Sequence, residues 1–310
     1  MNAQAFGPHA TIRAAVRAAE SLCTLPAVPT QDWCERAARA LASMRPPSIA
    51  LVMFARVAEG GEVARVEAAG VWGCTLAEVS TTFGRIQSVS SIVPLGSTHP
   101  ALGSVRSGAH TCTALGWTPA SAAGGSGGVD VFVGGEIGRA ASGTPMHARW
   151  GESGAADYVV GAARLTPGTP GCYVVAEIGL TAPGAVAGAE DAALLAEVLP
   201  LLARRASVAF GAGPFTESAC LTHREEVVLE HLLYGKSVRL IAAELGRSPH
   251  TVHDHVKSLH RKLNASSRGA LVARALGHLP PPGAGEPVRA GSGSTAVAVP
   301  SGNGDAVPSR

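Results

Sequence analysis

The first 235 residues of this 310-residue chain contain no lysine. That absence removes two input modules at once. An ATP-dependent domain built on G-x-x-x-x-G-K-[ST] needs the lysine that reaches the β- and γ-phosphates, and a phosphoacceptor receiver needs a lysine against the phosphoryl group. Aromatic residues make up only 4% of the chain, and Trp72, Trp117 and Trp150 read as core residues, not as a cofactor box. The six cysteines contain no C-x-x-C pair. They read as buried thiols, not disulfides or zinc ligands, with a redox role for one of them left open. No run of about 18 apolar residues occurs, and the N-terminus lacks a basic-then-apolar leader with a cleavage site. The expectation is a soluble cytoplasmic protein with no membrane association, no catalytic residues, no metal and no cofactor.

What is present has a readable order. Residues 11–22 and 31–44 carry amphipathic helical periodicity. Strands at 48–57 and 64–72 follow, joined across EGGE as a hairpin. A weak helical stretch at 76–86 leads into a Gly- and Ser-rich region running to residue 128, long for a loop. Within it GGSGG, residues 124–128, matches G-x-S-x-G in letters. A nucleophile elbow requires a helix after the serine, but the strand-like VDVFV follows, so a glycine loop is the better account. Strands return at 129–133, 158–165 and 172–180, the last two separated by TPGTPG. A helix over 190–210 places Leu194, Leu195, Val198, Leu202 and Ala206 along one side, with a bend expected at Pro200. From residue 278 the chain is mostly Pro, Gly, Ser and Ala, a tail expected to be disordered.

The segment 221–276 is different in kind. Thr222 with Glu225 forms a capping box opening a helix with Val228, Leu229, Leu232 and Leu233 at helical spacing and Gly235 at its end. Ser237 caps a second helix with apolar positions Leu240, Ile241 and Leu245, closed by Gly246. The short turn that follows ends in Ser248, a good N-cap, and Pro249, suited to the first helical position. In the third helix Val252, Val256, Leu259 and Leu263 form one stripe. His250, Asp254, Lys257 and Arg261 point away from it, with His253 at its flank. Two helices across such a turn, the second with a polar outer face, are the form of a helix-turn-helix whose recognition helix enters the major groove. The segment holds nine Lys and Arg against five Asp and Glu, while residues 1–220 hold fourteen against sixteen. A basic module on a slightly acidic chain is the footprint of phosphate contact. His250 and His253 lie one turn apart, but no cysteine or acid on the helix completes a tetrahedral metal set.

The segment resembles the LuxR-type (GerE-type) DNA-binding domain. The matching stretches are LTHREEVVLEHLLYG, IAAELGRSPHTV, HVKSLHRKL and SSRGALVARAL, with Thr251, Val252, His255, Lys262 and Leu263 at the family's characteristic recognition-helix positions. The resemblance covers under a fifth of the chain. It implies base reading by His253, Asp254 and Lys257, and backbone contact by Thr251, Lys262 and Arg268, with Arg261 on the same outer face. Asp254 departs from the pattern, where a basic or apolar residue is commoner; it would be repelled by phosphate yet could accept from a cytosine amino group. The fourth region of a sigma factor shares the helix-turn-helix logic, but the His255 and Lys262-Leu263 signature argues against it. Upstream, helices, an antiparallel sheet and the closing helix AEDAALLAEVLPLLARRA more faintly resemble a GAF- or PAS-like sensor. Of the acyl-homoserine-lactone sensor pattern only fragments such as Asp157-Tyr158 occur.

The expected fold class is an α+β N-terminal sensor-like domain with an antiparallel sheet, plus a C-terminal all-α four-helix helix-turn-helix domain. The expected boundaries are 10–210 for the sensor or dimerisation domain, 215–277 for the DNA-binding domain and 278–310 for the tail. The function expected is sequence-specific regulation of transcription by a homodimer on double-stranded DNA, with RNA polymerase a further candidate partner and the small-molecule ligand, if one is sensed, unidentified. The alternative is a helix-turn-helix used as a protein-interaction module without a DNA target.

Overall fold

A computed structural model describes residues 8–57, 63–73, 92–94, 129–133, 150–165, 172–211 and 219–279. Helices α1 (Pro8–Cys23) and α2 (Trp33–Ala42) precede the strands β1 (Ser48–Val57), β2 (Val63–Trp72), β3 (Ile92–Pro94), β4 (Val129–Val133), β5 (Asp157–Arg164) and β6 (Cys172–Leu180). Helix α3 (Ala189–Phe210) follows, and α4 (His223–Leu233), α5 (Val238–Leu245), α6 (Pro249–Lys262) and α7 (Arg268–Ala275) complete the order.

The six strands form one antiparallel sheet in the order β3-β2-β1-β6-β5-β4. β1 and β6 lie at its centre, paired from Ser48 with Leu180 to Arg56 with Cys172. All nine residues of β6 are buried, so the sheet is covered on both faces at its centre and its central strands are mostly apolar rather than alternating, with Glu177 the charged exception within β6. One face, with Val52, Phe54, Val174 and Ile178, shares a core with the helices α1, α2 and α3. There Trp33 meets Phe210 edge-on at 5.0 Å, and Phe54 stacks on the same ring at 4.9 Å. Phe210 is the last residue of α3, so these rings pin the point where the chain leaves the sheet domain. The opposite face includes Leu51, Val160 and Glu177, which share one row of the register. Glu177 is fully buried and accepts from Trp150 Nε1 at 2.6 Å.

The α+β N-terminal part, the antiparallel sheet and the C-terminal helical domain match expectation, while several element bounds move. α2 begins at Trp33, two residues late, because Thr30 is spent on a β-bridge and the two residues after it form a turn. β3 was not anticipated; three residues are too few to show periodicity. α3 runs as one helix through Pro200. The expected helix at 76–86, both hairpin turns and the GGSGG loop lie outside the described residues, as does the tail beyond Leu279.

Side chains from all four helices α4–α7, among them Val228, Leu229, Ile241, Val252, Leu259 and Leu271, gather in a second core cluster. Val28, from the α1–α2 connection, belongs to it as well. The two parts are stitched together at that connection. Leu221 N–H donates to Pro29 O at 2.8 Å, and Gln31 N–H donates to Leu221 O at 3.1 Å. Arg36 on α2 donates to Asp32 and to Glu226 on α4, each at 2.7 Å. Just after α7, Gly277 has φ +75°, and a Cβ there would lie 3.0 Å from Val208 Cγ1 of α3 and 3.4 Å from Ala27 Cβ of the α1–α2 connection. Only glycine combines that backbone with that approach.

Candidate nucleic-acid interface

Each helix of the C-terminal domain starts at a side chain that satisfies an open backbone N–H. At α4 the box is reciprocal: Thr222 Oγ1 accepts from Glu225 N–H at 3.3 Å, and Glu225 Oε2 accepts from Thr222 N–H at 2.8 Å. The hydroxyls of Ser237, Ser248 and Ser267 accept from Leu240, Thr251 and Ala270 at 3.3, 3.0 and 3.1 Å. Gly246 closes α5 in the left-handed conformation, φ 60° and ψ 39°, which an L side chain would strain. Caps this specific fix where α5 stops and where α6 points.

α6 buries Val252 and Leu259, with Leu263 buried just beyond its end, and packs Val256 against the same cluster. His250, Thr251, His253, Asp254, Lys257 and Arg261 are exposed. Lys257 and Asp254 keep 67% and 54% of their side-chain surface, so the polar face is open to a partner as large as a duplex. α5 corrects one expectation. Leu240 is 47% exposed; the packed stripe is Val238, Ile241, Ala242 and Leu245, the i, i+3, i+4, i+7 set, and Leu240 falls outside it.

The electrostatics of the outer face are more balanced than its sequence suggests. Asp254 Oδ2 lies 3.1 Å from His250 Nδ1, and Oδ1 lies 3.8 Å from Lys257 Nζ. An acid flanked in this way repels phosphate less than an isolated carboxylate. Thr251 Oγ1 lies 2.9 Å from Ser248 Oγ, inside the cap. Arg261 Nη2 approaches Ser258 Oγ at 3.5 Å.

Lys262 and Arg268 are placed differently from expectation. The Lys262 ammonium turns inward and donates to Cys220 O and Glu225 Oε2, each at 2.7 Å, with 11% of its side chain exposed. Its charge is consumed by the fold, because an ammonium tied to a buried carboxylate cannot reach a phosphate without leaving that carboxylate unpaired. Glu225 also accepts from Ser258 Oγ at 2.7 Å. Burial alone would raise the Glu225 pKa, but Lys262, Ser258 and Thr222 outweigh it and hold the carboxyl down to about 2. Arg268 lies on an exposed stretch, yet its Nη2 donates to Leu232 O and Lys236 O at 3.1 and 2.9 Å. It ties the start of α7 to one carbonyl at the end of α4 and one in the α4–α5 connection.

Beside α6 lies an open cleft of about 530 Å³ between the starts of α4 and α6 and the end of α5. His223, Arg224, Arg247, Thr251 and His255 contribute its polar lining. Apart from Thr251, none of these stood among the expected DNA contacts. They come from three elements, and spacing within any one helix gives no sign that they converge. Among the described residues no group of three or more His, Cys, Asp or Glu is placed to hold a metal ion. Cys34, Cys172 and Cys220 are buried, and burial pushes the thiols of Cys34 and Cys172 up, away from the reactive thiolate. No described helix is long and apolar enough to cross a membrane.

Residues 219–275 match the family described as bacterial regulatory proteins, luxR family. Over 56 residues, 18% of this chain, the sequence is 46% identical to the probable transcriptional regulatory protein NarL of Mycobacterium tuberculosis, covering 26% of that protein. Over 54 residues, 17% of the chain, it is 50% identical to the transcriptional regulatory protein UhpA of Escherichia coli, covering 28% of it. The match thus spans about a quarter of the length of these relatives. Among solved structures, SdiA in complex with octanoyl-rac-glycerol aligns with 86% of this chain and 93% of its own, at 15% identity and a TM-score of 0.31. The C-terminal segment, residues 219–275, is a LuxR-type (GerE-type) helix-turn-helix domain.

Proposed function

We propose that this protein is a sequence-specific regulator of transcription that binds double-stranded DNA as a homodimer, with α6 as its recognition helix. The observation that carries the reading is the outer face of α6, on which His253, Asp254 and Lys257 stand exposed beside a rigidly capped turn. His253 and Lys257 are assigned to base edges, Asp254 to a cytosine amino group, and Thr251 and Arg261 to the sugar-phosphate backbone. Two copies of α6 would reach half-sites about one helical turn apart. In this reading residues 10–210 are the sensing or dimerisation domain and residues 215–277 the DNA-binding domain, each built around a core cluster of its own, with Cys220 packing into the first core and Val28 into the second.

Regulation follows from the seam between the two parts. Arg36 of α2 holds Glu226, and the neighbouring Glu225 holds Ser258 and Lys262 of α6. A signal that shifts α2, or the end of α3 at Phe210, acts through that chain of contacts on the pose of the recognition helix. Binding of a duplex of about 30 base pairs, followed by gel shift in a salt series, tests the proposal. Binding that weakens as salt rises supports it, and no binding at about 50 mM salt overturns it.

A further inference from the structure

The sheet domain has a hollow of its own, away from the recognition helix. A cavity of about 230 Å³ lies between α1, the α2–β1 connection and the start of α3. Residues 1–220 are slightly acidic as a whole, yet three arginines meet here: Arg13 and Arg17, one turn apart on α1, and Arg45 from the connection. Two acids, Glu190 and Asp191, also border the cavity. Asp191 is already engaged, because it is buried, its Oδ1 accepts from Arg45 Nη1 at 2.8 Å and its Oδ2 accepts from Gly188 N–H at 3.0 Å. Arg17 is the contrasting case. It is exposed at the rim, and its guanidinium has no hydrogen-bond or ion-pair partner among the described residues. Met44, which is buried, and Leu194, packed against the same core, supply an apolar floor. A guanidinium beside such a floor attracts an anion more strongly than one in open water. α3 begins at the cavity, so its dipole adds to that attraction.

We propose that this cavity is a ligand site for a short aliphatic monocarboxylic acid, with the carboxylate on Arg17 and Arg13 and the chain over Met44 and Leu194. Size sets the class. The volume holds about eight water-sized groups at roughly 30 Å³ each, room for a carboxylate and a chain of about five carbons. It falls below the roughly 300–1,000 Å³ of clefts that take drug-sized ligands, which excludes a nucleotide. Charge narrows the choice further. Arg45 is committed to Asp191, and Glu190 adds a negative charge of its own, so one carboxylate is accommodated and a second is not. The planar guanidinium fork matches a carboxylate, whereas inorganic phosphate would leave the apolar floor uncovered. The site stands on the geometry of the sheet domain alone, and it gives the sensing role of residues 10–210 a ligand class. Both helices that hold it run to the seam: α1 leads into the connection that carries Val28, and α3 ends at Phe210.

Isothermal titration of the full chain, without DNA, tests the site with acetate, hexanoate, succinate and inorganic phosphate as probes. Hexanoate is expected to bind about tenfold more tightly than acetate, which has no chain to bury, and more tightly than succinate or phosphate. The substitution R17Q falls on an exposed residue and is checked for unchanged helix content. It is expected to weaken hexanoate binding about tenfold or more, because the charge-assisted fork is lost. R204Q removes an exposed arginine further along α3, outside the cavity lining, and is expected to bind hexanoate as the wild type does. A wild-type chain that takes up none of the probes at millimolar concentration overturns the site. Succinate or phosphate bound as tightly as hexanoate overturns the monocarboxylate assignment. Hexanoate binding that R17Q leaves unchanged, or that R204Q weakens equally, overturns the location. Each result is read without a duplex, so a failure here leaves the DNA-binding reading to its own gel shift.

Discussion

At Glu225 four hydrogen bonds converge on one carboxylate: from Lys262, from Ser258, and from the backbone and hydroxyl of Thr222. The same residue closes the capping box of α4 and anchors the last turn of the recognition helix, so its substitution has a structural and not a chemical cost. Glu225→Gln is expected to destabilise the domain by about 3 kcal/mol, the cost of leaving a buried ammonium unpaired, as read by urea denaturation. A glutamate titrates near 4.5 when unfolded and this one near 2 when folded. Its stabilisation is therefore complete above about pH 4.5 and is lost as pH falls towards 2. Denaturation midpoints measured down that range should fall more steeply in the wild type than in Glu225→Gln. Lys257 is the contrasting case, exposed, with Asp254 its ion-pair neighbour among the described residues. Lys257→Ala should leave stability within about 0.5 kcal/mol and cost about 1–3 kcal/mol of affinity for selected sequences, with relaxed specificity at one position. An equal loss on every sequence would make Lys257 a phosphate contact instead.

The helices of the C-terminal domain are set by their ends. Ser248→Ala removes the cap of α6 and is expected to cost about 1 kcal/mol of stability, and Gly246→Val, which forces a β-branched residue into a left-handed turn, should cost more; thermal denaturation ranks the two. These ends were legible in the sequence because caps act through residues three apart, as in Thr222 with Glu225 and Ser248 with Thr251. The outer face of α6 was legible for a similar reason, since a 3.6-residue period separates Val252 and Leu259 from Asp254 and Lys257. Lys262 was not. Its spacing allows an outward position, and only the fold brings Glu225 and the Cys220 carbonyl to its side. Arg224 and Arg247 were missed because their meeting place is a gap between helices. In the sheet domain the strong strands β1, β2, β5 and β6 were readable from their apolar runs, whereas β3 has three residues and depends on its pairing with β2.

Across the molecule, the α1–α2 connection joins the N-terminal part to the C-terminal domain. Val28 lies between α1 and α2, yet it packs into the core of the DNA-binding domain, nearly two hundred residues further along the chain. Val28→Asp would place an unpaired carboxylate there and is expected to destabilise that domain by at least about 2 kcal/mol. Hydrogen exchange at α4 and α6 should accelerate, although neither helix is altered; unchanged exchange would mean that the seam carries no stability. Arg36, part-exposed beside Asp32 and Glu226, contributes less, on the order of 1 kcal/mol, but it is the contact through which a movement of α2 would reach Glu225. The account as a whole depends on α6 meeting a duplex, and the affinity of the intact protein for double-stranded DNA across a salt series measures that directly. It predicts binding at about 50 mM salt whose logarithm falls linearly with the logarithm of salt concentration, with a slope near 0.9 for each phosphate held. Absence of binding at that salt, or binding indifferent to salt, would contradict it.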